Sequence, residues 1–378
     1  MKWGLWALAG TALGAAALSA PQAPQPLLVY GHFDGHLAPC GCTKPMSGGI
    51  SRAGSVLRGG HVVVVGPLIK GAGRQDELKA ETLAEAVAQW KGVLALSESD
   101  LQMEAGLLAS VKRLAQRTAD TPQRLGPFSV VSLAPDSASV LSALRSAGSQ
   151  KLVIALRGGE REARSLAEQV PGIPLILFES ESPTLKPIQI GRTTLASPGG
   201  EGKTVLRLTP MSIGFRVEAI DLGPKIADDP RSKSLYLSYL QRVSSEKLLD
   251  RLPRSSSPAF AGNQKCGSCH GAAMKAWKAS GHSKALATLS ATKHDRDPDC
   301  ASCHVVGLTS KGGFQSLAKT PQLANVGCES CHGPGAAHAS KPTVVKMPPA
   351  GEKSCRSCHV PAHSPSFDFA KYWSKIKH

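Results

Sequence analysis

Long apolar runs are missing from this chain beyond its first twenty residues, so it is not built to cross a bilayer repeatedly. Aromatic side chains are scarce, at 4% of 378 residues, and acidic residues are outnumbered, 28 against 44 Lys and Arg. Arginines are not clustered either. Without Arg clusters and stacking aromatics, the formal charge of +16 does not read as a nucleic-acid surface. It favours anionic partners without naming them. Hydrophobic residues are not in short supply: at 42% they exclude a disordered chain, and the length suits two globular units. Ten cysteines remain, and eight of them decide the reading.

Those eight fall into four copies of C-x-x-C-H: Cys266, Cys269 and His270; Cys300, Cys303 and His304; Cys328, Cys331 and His332; Cys355, Cys358 and His359. Two thiols three residues apart reach the two vinyl groups of one porphyrin and form thioethers. The histidine that follows then lies under the ring with its imidazole on the iron. A redox C-x-x-C or a structural zinc site does not need histidine directly after the second cysteine four times over. The motifs therefore predict four covalently bound haem c groups with iron held by His270, His304, His332 and His359.

Each iron takes a sixth ligand or keeps an open position. The candidates are His282, His294, His338, His363 and His378, with Met274 and Met347 poorly placed. His282 follows an Ala/Lys-rich helical stretch, His338 follows a Gly-Pro-Gly turn, and His378 ends the aromatic stretch FDFAKYWSKIKH. We take these three as distal ligands and expect bis-His coordination, which implies lower potentials than His/Met ligation. His294 lies in the charged run KHDRDPD and reads as a solvated loop residue. His363 stands only four residues past His359 and reads as a surface residue.

The 113 residues from Cys266 onward leave about 28 per haem, too few to bury four rings separately. The rings are expected to share walls, form the interior and make a path for electrons. Residues 255–378 carry a formal +9, close to what eight propionates offset. Covalent haem c implies export, and Met1–Ala20 has the form of a signal peptide: Lys2, the apolar WGLWALAGTALGAAAL, then LSA before Pro21. Pro21 disfavours a cut directly before it, so the cut moves a few residues earlier or the segment persists. A periplasmic or otherwise exported location is expected, with a membrane anchor only if the segment stays uncleaved.

The strings KCGSCHGAAMKAWKASGHSKALATL, DPDCASCHVVGLTSKGGF and NVGCESCHGPGAAH resemble the family of the tetraheme cytochrome that accepts electrons from hydroxylamine oxidoreductase in ammonia oxidisers. The resemblance covers about residues 263–340. It implies that His282 and His338 are distal ligands within the ring pair of the first and third haems. It also implies a five-coordinate second iron, with His304 as the proximal ligand of an open site.

Residues 26–225 alternate strand and helix patterns. LLVYGHF, HVVVVGPLI, GVLALS, FSVVSLA, KLVIALR and PLILFES read as strands, with DELKAETLAEAVAQW and DLQMEAGLLASVKRLAQ as helices between them. KPIQIGRTTLAS and KTVLRLTPMSIGFRVEAI read as antiparallel strands. We therefore expect an α/β sandwich over 26–225, a helix and linker over 226–262 with the helix at 231–252, and a small, mainly helical and loop tetraheme region over 263–378.

YGHFDGHLAPCGC followed by GGISRAGSVLR resembles the opening of the metallophosphoesterase and 5′-nucleotidase family. Departures from that pattern imply a degenerate site without phosphatase activity. His32 and Asp34 stand in reversed order, Gly66-Pro67 replaces Gly-Asp, Ser97-Glu-Ser-Asp100 replaces an Asn-His step, and RGGER and FESES replace His-rich loops. Cys40 and Cys42 admit four readings: plain loop cysteines, a strained disulfide, a redox pair, or a zinc or copper site with His32, Asp34 or His36.

The leading function is an exported electron carrier between redox protein partners. Two others compete with it. One is a haem enzyme turning over a small nitrogen or sulfur compound at an open iron. The other is a docking subunit of a larger redox complex or cytochrome filament.

Overall fold

Runs of Val, Leu and Ile alternate with Ala-rich amphipathic stretches through the first two thirds of the computed structural model, which describes residues 25–39, 46–255, 259–361, 363–364 and 366–378. The apolar segment 1–20 and the pair Cys40 and Cys42 lie outside the described residues. The elements run β1 (Leu27–Gly31), α1 (Ile50–Leu57), β2 (His61–Val65), α2 (Arg74–Gln89), β3 (Val93–Ala95), α3 (Ala105–Ala115), β4 (Gln123–Leu125) and β5 (Phe128–Leu133). They continue with α4 (Ser137–Ala147), β6 (Lys151–Gly159), α5 (Glu160–Gln169), β7 (Leu175–Glu179), β8 (Ile188–Ile190), β9 (Thr193–Ala196), β10 (Thr204–Pro210) and β11 (Phe215–Asp221).

Two mixed sheets result, ordered β11-β10-β1-β2-β3 and β4-β5-β6-β7-β9-β8. β1-β2-β3 and β5-β6-β7-β9 pair in parallel, while β1 with β10, β10 with β11, β4 with β5 and β8 with β9 are antiparallel. Val29, Val63, Val93 and Leu206 of the first sheet meet Phe128, Val130, Val153 and Leu175 of the second in one apolar layer. The outer face of the first sheet packs on α1, α2 and α3, and that of the second on α4 and α5. Strands covered on both faces need continuous apolar sequence, which is why HVVVV and LLVYG do not alternate. The architecture is an α/β sandwich.

A helix α6 (Pro230–Ser245) closes this region. The Asp229 carboxylate accepts from Ser232 N (2.9 Å) at its start, and Pro230 occupies the first turn, where no N–H is needed. The single helix expected over 231–252 is instead broken. Lys247 adopts a left-handed conformation (φ 53°), and a separate turn, α7 (Leu248–Arg251), follows. The described linker residues are pinned rather than loose: Ser255 N donates to Thr309 O (2.9 Å) and the Arg254 guanidinium to Phe314 O (2.8 Å).

Beyond residue 260 only short helices form: α8 (Asn263–Gly267), α9 (Gly271–Ala279), α10 (Ala285–Ser290), α11 (Pro298–His304), α12 (Cys328–His332), α13 (Ala336–Ser340), α14 (Glu352–Arg356) and α15 (Phe369–Trp373). Leu286, Val305, Val306, Leu308, Phe314 and Leu323 make one small apolar cluster. From Asn325 onward no apolar side chain among the described residues is buried. That is a small side-chain core for about fifty residues. Among the described residues no helix is long and apolar enough to cross a membrane.

Candidate haem centres

Each C-x-x-C-H occupies one helical turn. His270 N bonds Cys266 O (3.0 Å) and His359 N bonds Cys355 O (2.9 Å), so both thiols and the imidazole project from adjacent positions of that turn. In α11 the turn is prepared by Pro298 and by the Asp297 carboxylate, which accepts from Asp299 N (3.0 Å). The thiols of Cys266 and Cys328 interact, and so do those of Cys303 and Cys358. In the haem-bearing protein these atoms stand for thioether sulfurs. The first motif is thus beside the third, and the second beside the fourth.

The histidines pair across these turns. His270 faces His338 with ring centroids 6.1 Å apart, His332 faces His378 at 6.0 Å, and His359 faces His282 at 6.3 Å. Two imidazoles sharing one metal through Nε2 at about 2.0 Å each, with centroids about 1.1 Å further out, stand about 6.2 Å apart. The three pairs match that separation. The structure brings His282 to the fourth motif, not to the first or third as the resemblance implied. No pair of this kind among the described residues includes His304.

Ring orientation is set from the other nitrogen. Nδ1 of His304 bonds Ala285 O (2.6 Å), that of His332 bonds Pro348 O (2.9 Å), that of His338 bonds Val345 O (2.6 Å), and that of His378 bonds Ile376 O (3.0 Å). A carbonyl only accepts, so Nδ1 carries the proton and the Nε2 lone pair is left for a metal. His359 Nδ1 has Ser364 Oγ at 3.0 Å. Burial, followed by the neighbouring His359 and His304, holds His282 below the usual histidine range, so it is neutral and ligand-competent near pH 7.

Two anchoring groups escaped the sequence reading. Glu329, inside the third motif, is buried, and its carboxylate accepts from Ala261 N (2.8 Å), Gly262 N (2.8 Å) and Gly335 N (2.6 Å). It ties the end of the linker to the Gly-Pro-Gly turn that delivers His338. The Trp277 indole donates to Val326 O (2.8 Å) while Val326 N donates to His282 O (3.2 Å), fixing His282 against the start of α12. An acid between the two cysteines of a haem motif is the signal that could have pointed to Glu329.

Two histidines differ from expectation. His294 is not a solvated loop residue. Its Nε2 meets the Tyr236 hydroxyl (2.5 Å) and its Nδ1 meets Thr292 Oγ1 (2.8 Å), so both nitrogens are engaged. His363 is half-buried, with its ring 6.3 Å from that of His36 in the α/β region, and is not a surface residue.

At the carboxyl ends of the parallel strands, the residues that the sequence resemblance singled out bond to their own neighbours. Asp34 pairs with Lys70 (3.1 Å), and buried Asp100 accepts from Leu68 N (2.8 Å), Ser97 N (3.0 Å) and Ser97 Oγ (2.9 Å). Asp100 fits because position 66 is glycine: a Cβ there would lie 1.9 Å from Asp100 Oδ2. His32 is buried with an unpartnered Nδ1, and burial pushes its pKa down to about 4. The cavity left beside His32, Ser97 and Glu179 is about 10 Å³, room for one water at most. Among the described residues no group of three or more His, Cys, Asp or Glu is arranged to hold a metal ion.

Residues 265–333 match the family described as cytochrome c554 and c-prime. Cytochrome c-554 of Nitrosomonas europaea is 41% identical over 91 residues, covering 20% of this chain and 39% of that protein. The chain thus spans about two fifths of the length of the curated relative it matches. Among solved structures, the sulfate thiohydrolase SoxB of Thermus thermophilus is 14% identical, covers 60% of this chain and 62% of its own, and has a TM-score of 0.49. A 5′-nucleotidase precursor, also from Thermus thermophilus, is 15% identical, with 64% and 63% covered and a TM-score of 0.47. Residues 265–333, which carry three of the four C-x-x-C-H motifs, are similar to the cytochrome c554 family, and that kinship implies covalently bound haem c.

Proposed function

We propose that the chain is an exported tetraheme c-type cytochrome that passes electrons between redox protein partners. Haem c supplies the one-electron ferric/ferrous couple. The chain's own residues anchor it through Cys266, Cys269, Cys300, Cys303, Cys328, Cys331, Cys355 and Cys358. They ligate it through the pairs His270/His338, His332/His378 and His359/His282. The observation that carries the reading is the 6.0–6.3 Å separation of those three pairs, each containing one motif histidine. The sulfur contacts between motifs one and three and between two and four support close ring pairs, which favour electron transfer along the chain of haems. Denatured chain from a host equipped for cytochrome c maturation should retain four haems by mass. Three or fewer would end the tetraheme reading.

His304 favours a second activity. With its Nδ1 held by Ala285 O and no opposing histidine among the described residues, it suits an iron with one open position. That position would take a small nitrogen or sulfur compound. A high-spin signal that shifts on adding carbon monoxide or nitric oxide is the expected result, and entirely low-spin spectra would remove this second activity.

A further inference from the structure

Eight of the twelve histidines stand in four facing pairs, yet the pairs and the four motifs do not correspond one to one. The second motif has no such pair, and the pair His36/His363 has no motif. We propose that His36 and His363 hold a fifth, non-covalently bound haem iron at the junction between the α/β region and the cytochrome region.

The geometry is that of the other three pairs. Ring centroids are 6.3 Å apart and the rings are tilted by 47°, against 6.0–6.3 Å and 30–56° for the pairs that contain a motif histidine. The orienting device is also the same. His36 Nδ1 bonds Phe33 O (2.9 Å), and its backbone N–H bonds the same carbonyl (2.8 Å). Phe33 is fully buried, so this carbonyl is a fixed acceptor that keeps the ring proton on Nδ1 and leaves the Nε2 lone pair for a metal. His363 sits in a turn closed by its N–H to Val360 O (3.0 Å). Its imidazole acts electrostatically on the Cys303 sulfur, which places it beside the second and fourth motifs.

Donor number favours porphyrin over a bare ion. Zinc or copper in a protein takes three or four side-chain donors, whereas this pair supplies two, with Cys40 and Cys42 outside the described residues. An iron porphyrin brings four nitrogens of its own and asks the protein for two axial imidazoles. Neither His36 nor His363 belongs to a C-x-x-C-H, so axial ligation is what retains this group. The proposal rests on the reading that the four motifs are loaded, since the new iron extends their path into the α/β region.

The test compares two haem counts on one preparation. Native protein should give five haems per chain by pyridine haemochrome, and denatured, acid-acetone-extracted chain should keep four. His36→Ala and His363→Gly should each lower the native count or turn one low-spin iron high-spin, with the covalent count unchanged. Added imidazole should restore the low-spin signal in His363→Gly, which a merely structural role for that residue would not allow. A native count equal to the covalent count overturns the proposal, as does zinc or copper in the purified protein that His36→Ala removes. A covalent count below four instead defeats the reading of the motifs, so the two failures are distinguishable.

Discussion

At the residue scale, what matters is which nitrogen of each histidine is occupied. A carbonyl on Nδ1 turns His304, His332, His338 and His378 into Nε2 donors, whereas His294 has neither nitrogen to spare. His282→Ala and His338→Ala should each convert one haem from low to high spin, read by electron paramagnetic resonance. Unchanged spectra in both would defeat the ligand pairs. In the α/β region Glu179 behaves differently from a surface acid. Burial, then the neighbouring Asp100, Asp34 and Glu98, push its pKa from 4.5 up to about 7. The folded state therefore holds a proton that the unfolded state releases above pH 4.5, and Glu179 costs stability progressively as pH rises from 4.5 to 7. Glu179→Gln should gain about 1 kcal/mol over the parent at pH 8 and nothing at pH 4, allowing for the solvent that reaches a half-buried group. Urea unfolding of both proteins at the two pH values measures this. The four C-x-x-C-H motifs could be read in the sequence because the pattern is one of local spacing. The partner of His282 could not, because it lies 77 positions away along the chain.

At the element scale, α2 and α6 are the platform on which the second haem motif rests. Gln75 donates to Asp297 (2.7 Å), Lys79 pairs with Asp299 (2.5 Å), and the Tyr239 hydroxyl donates to Asp297 (3.3 Å). Asp297 also caps α11, so the same carboxylate starts the motif helix and binds it to the α/β region. Lys79 is almost fully buried, with Asp76 as its other acidic neighbour (3.7 Å). Lys79→Ala leaves two acids near each other with no cation between them, at a cost of about 1 kcal/mol, because solvent screens the largely exposed Asp299. It should speed proteolysis within 253–262 several-fold, since the contact that docks the two regions weakens. Equal digestion rates would show that α2 is only a passive neighbour. Strand and helix runs could be read from periodicity, but this platform could not. Gln75 and Lys79 look like any polar positions on a helix until the fold places Asp297 and Asp299 against them.

At the scale of the whole molecule, the two regions are held together by different interiors. The α/β sandwich has three apolar layers of its own, while the cytochrome region has one small cluster and nothing apolar buried after Ala324 among the described residues. Protein made without cytochrome c maturation should keep a protease-resistant core ending near residue 250 and lose everything beyond it to digestion. A C-terminal region equally resistant without haem would contradict a porphyrin interior. Haem chemistry and the α/β alternation were set by the order of residues alone, because thioether spacing and the periods of strand and helix are local properties of a chain. Which histidine faces which, the meeting of His363 with His36, and the filling of the space beside Gly66 by Asp100 came only with the packed fold. Those are distances between residues far apart in sequence, and no local pattern encodes them.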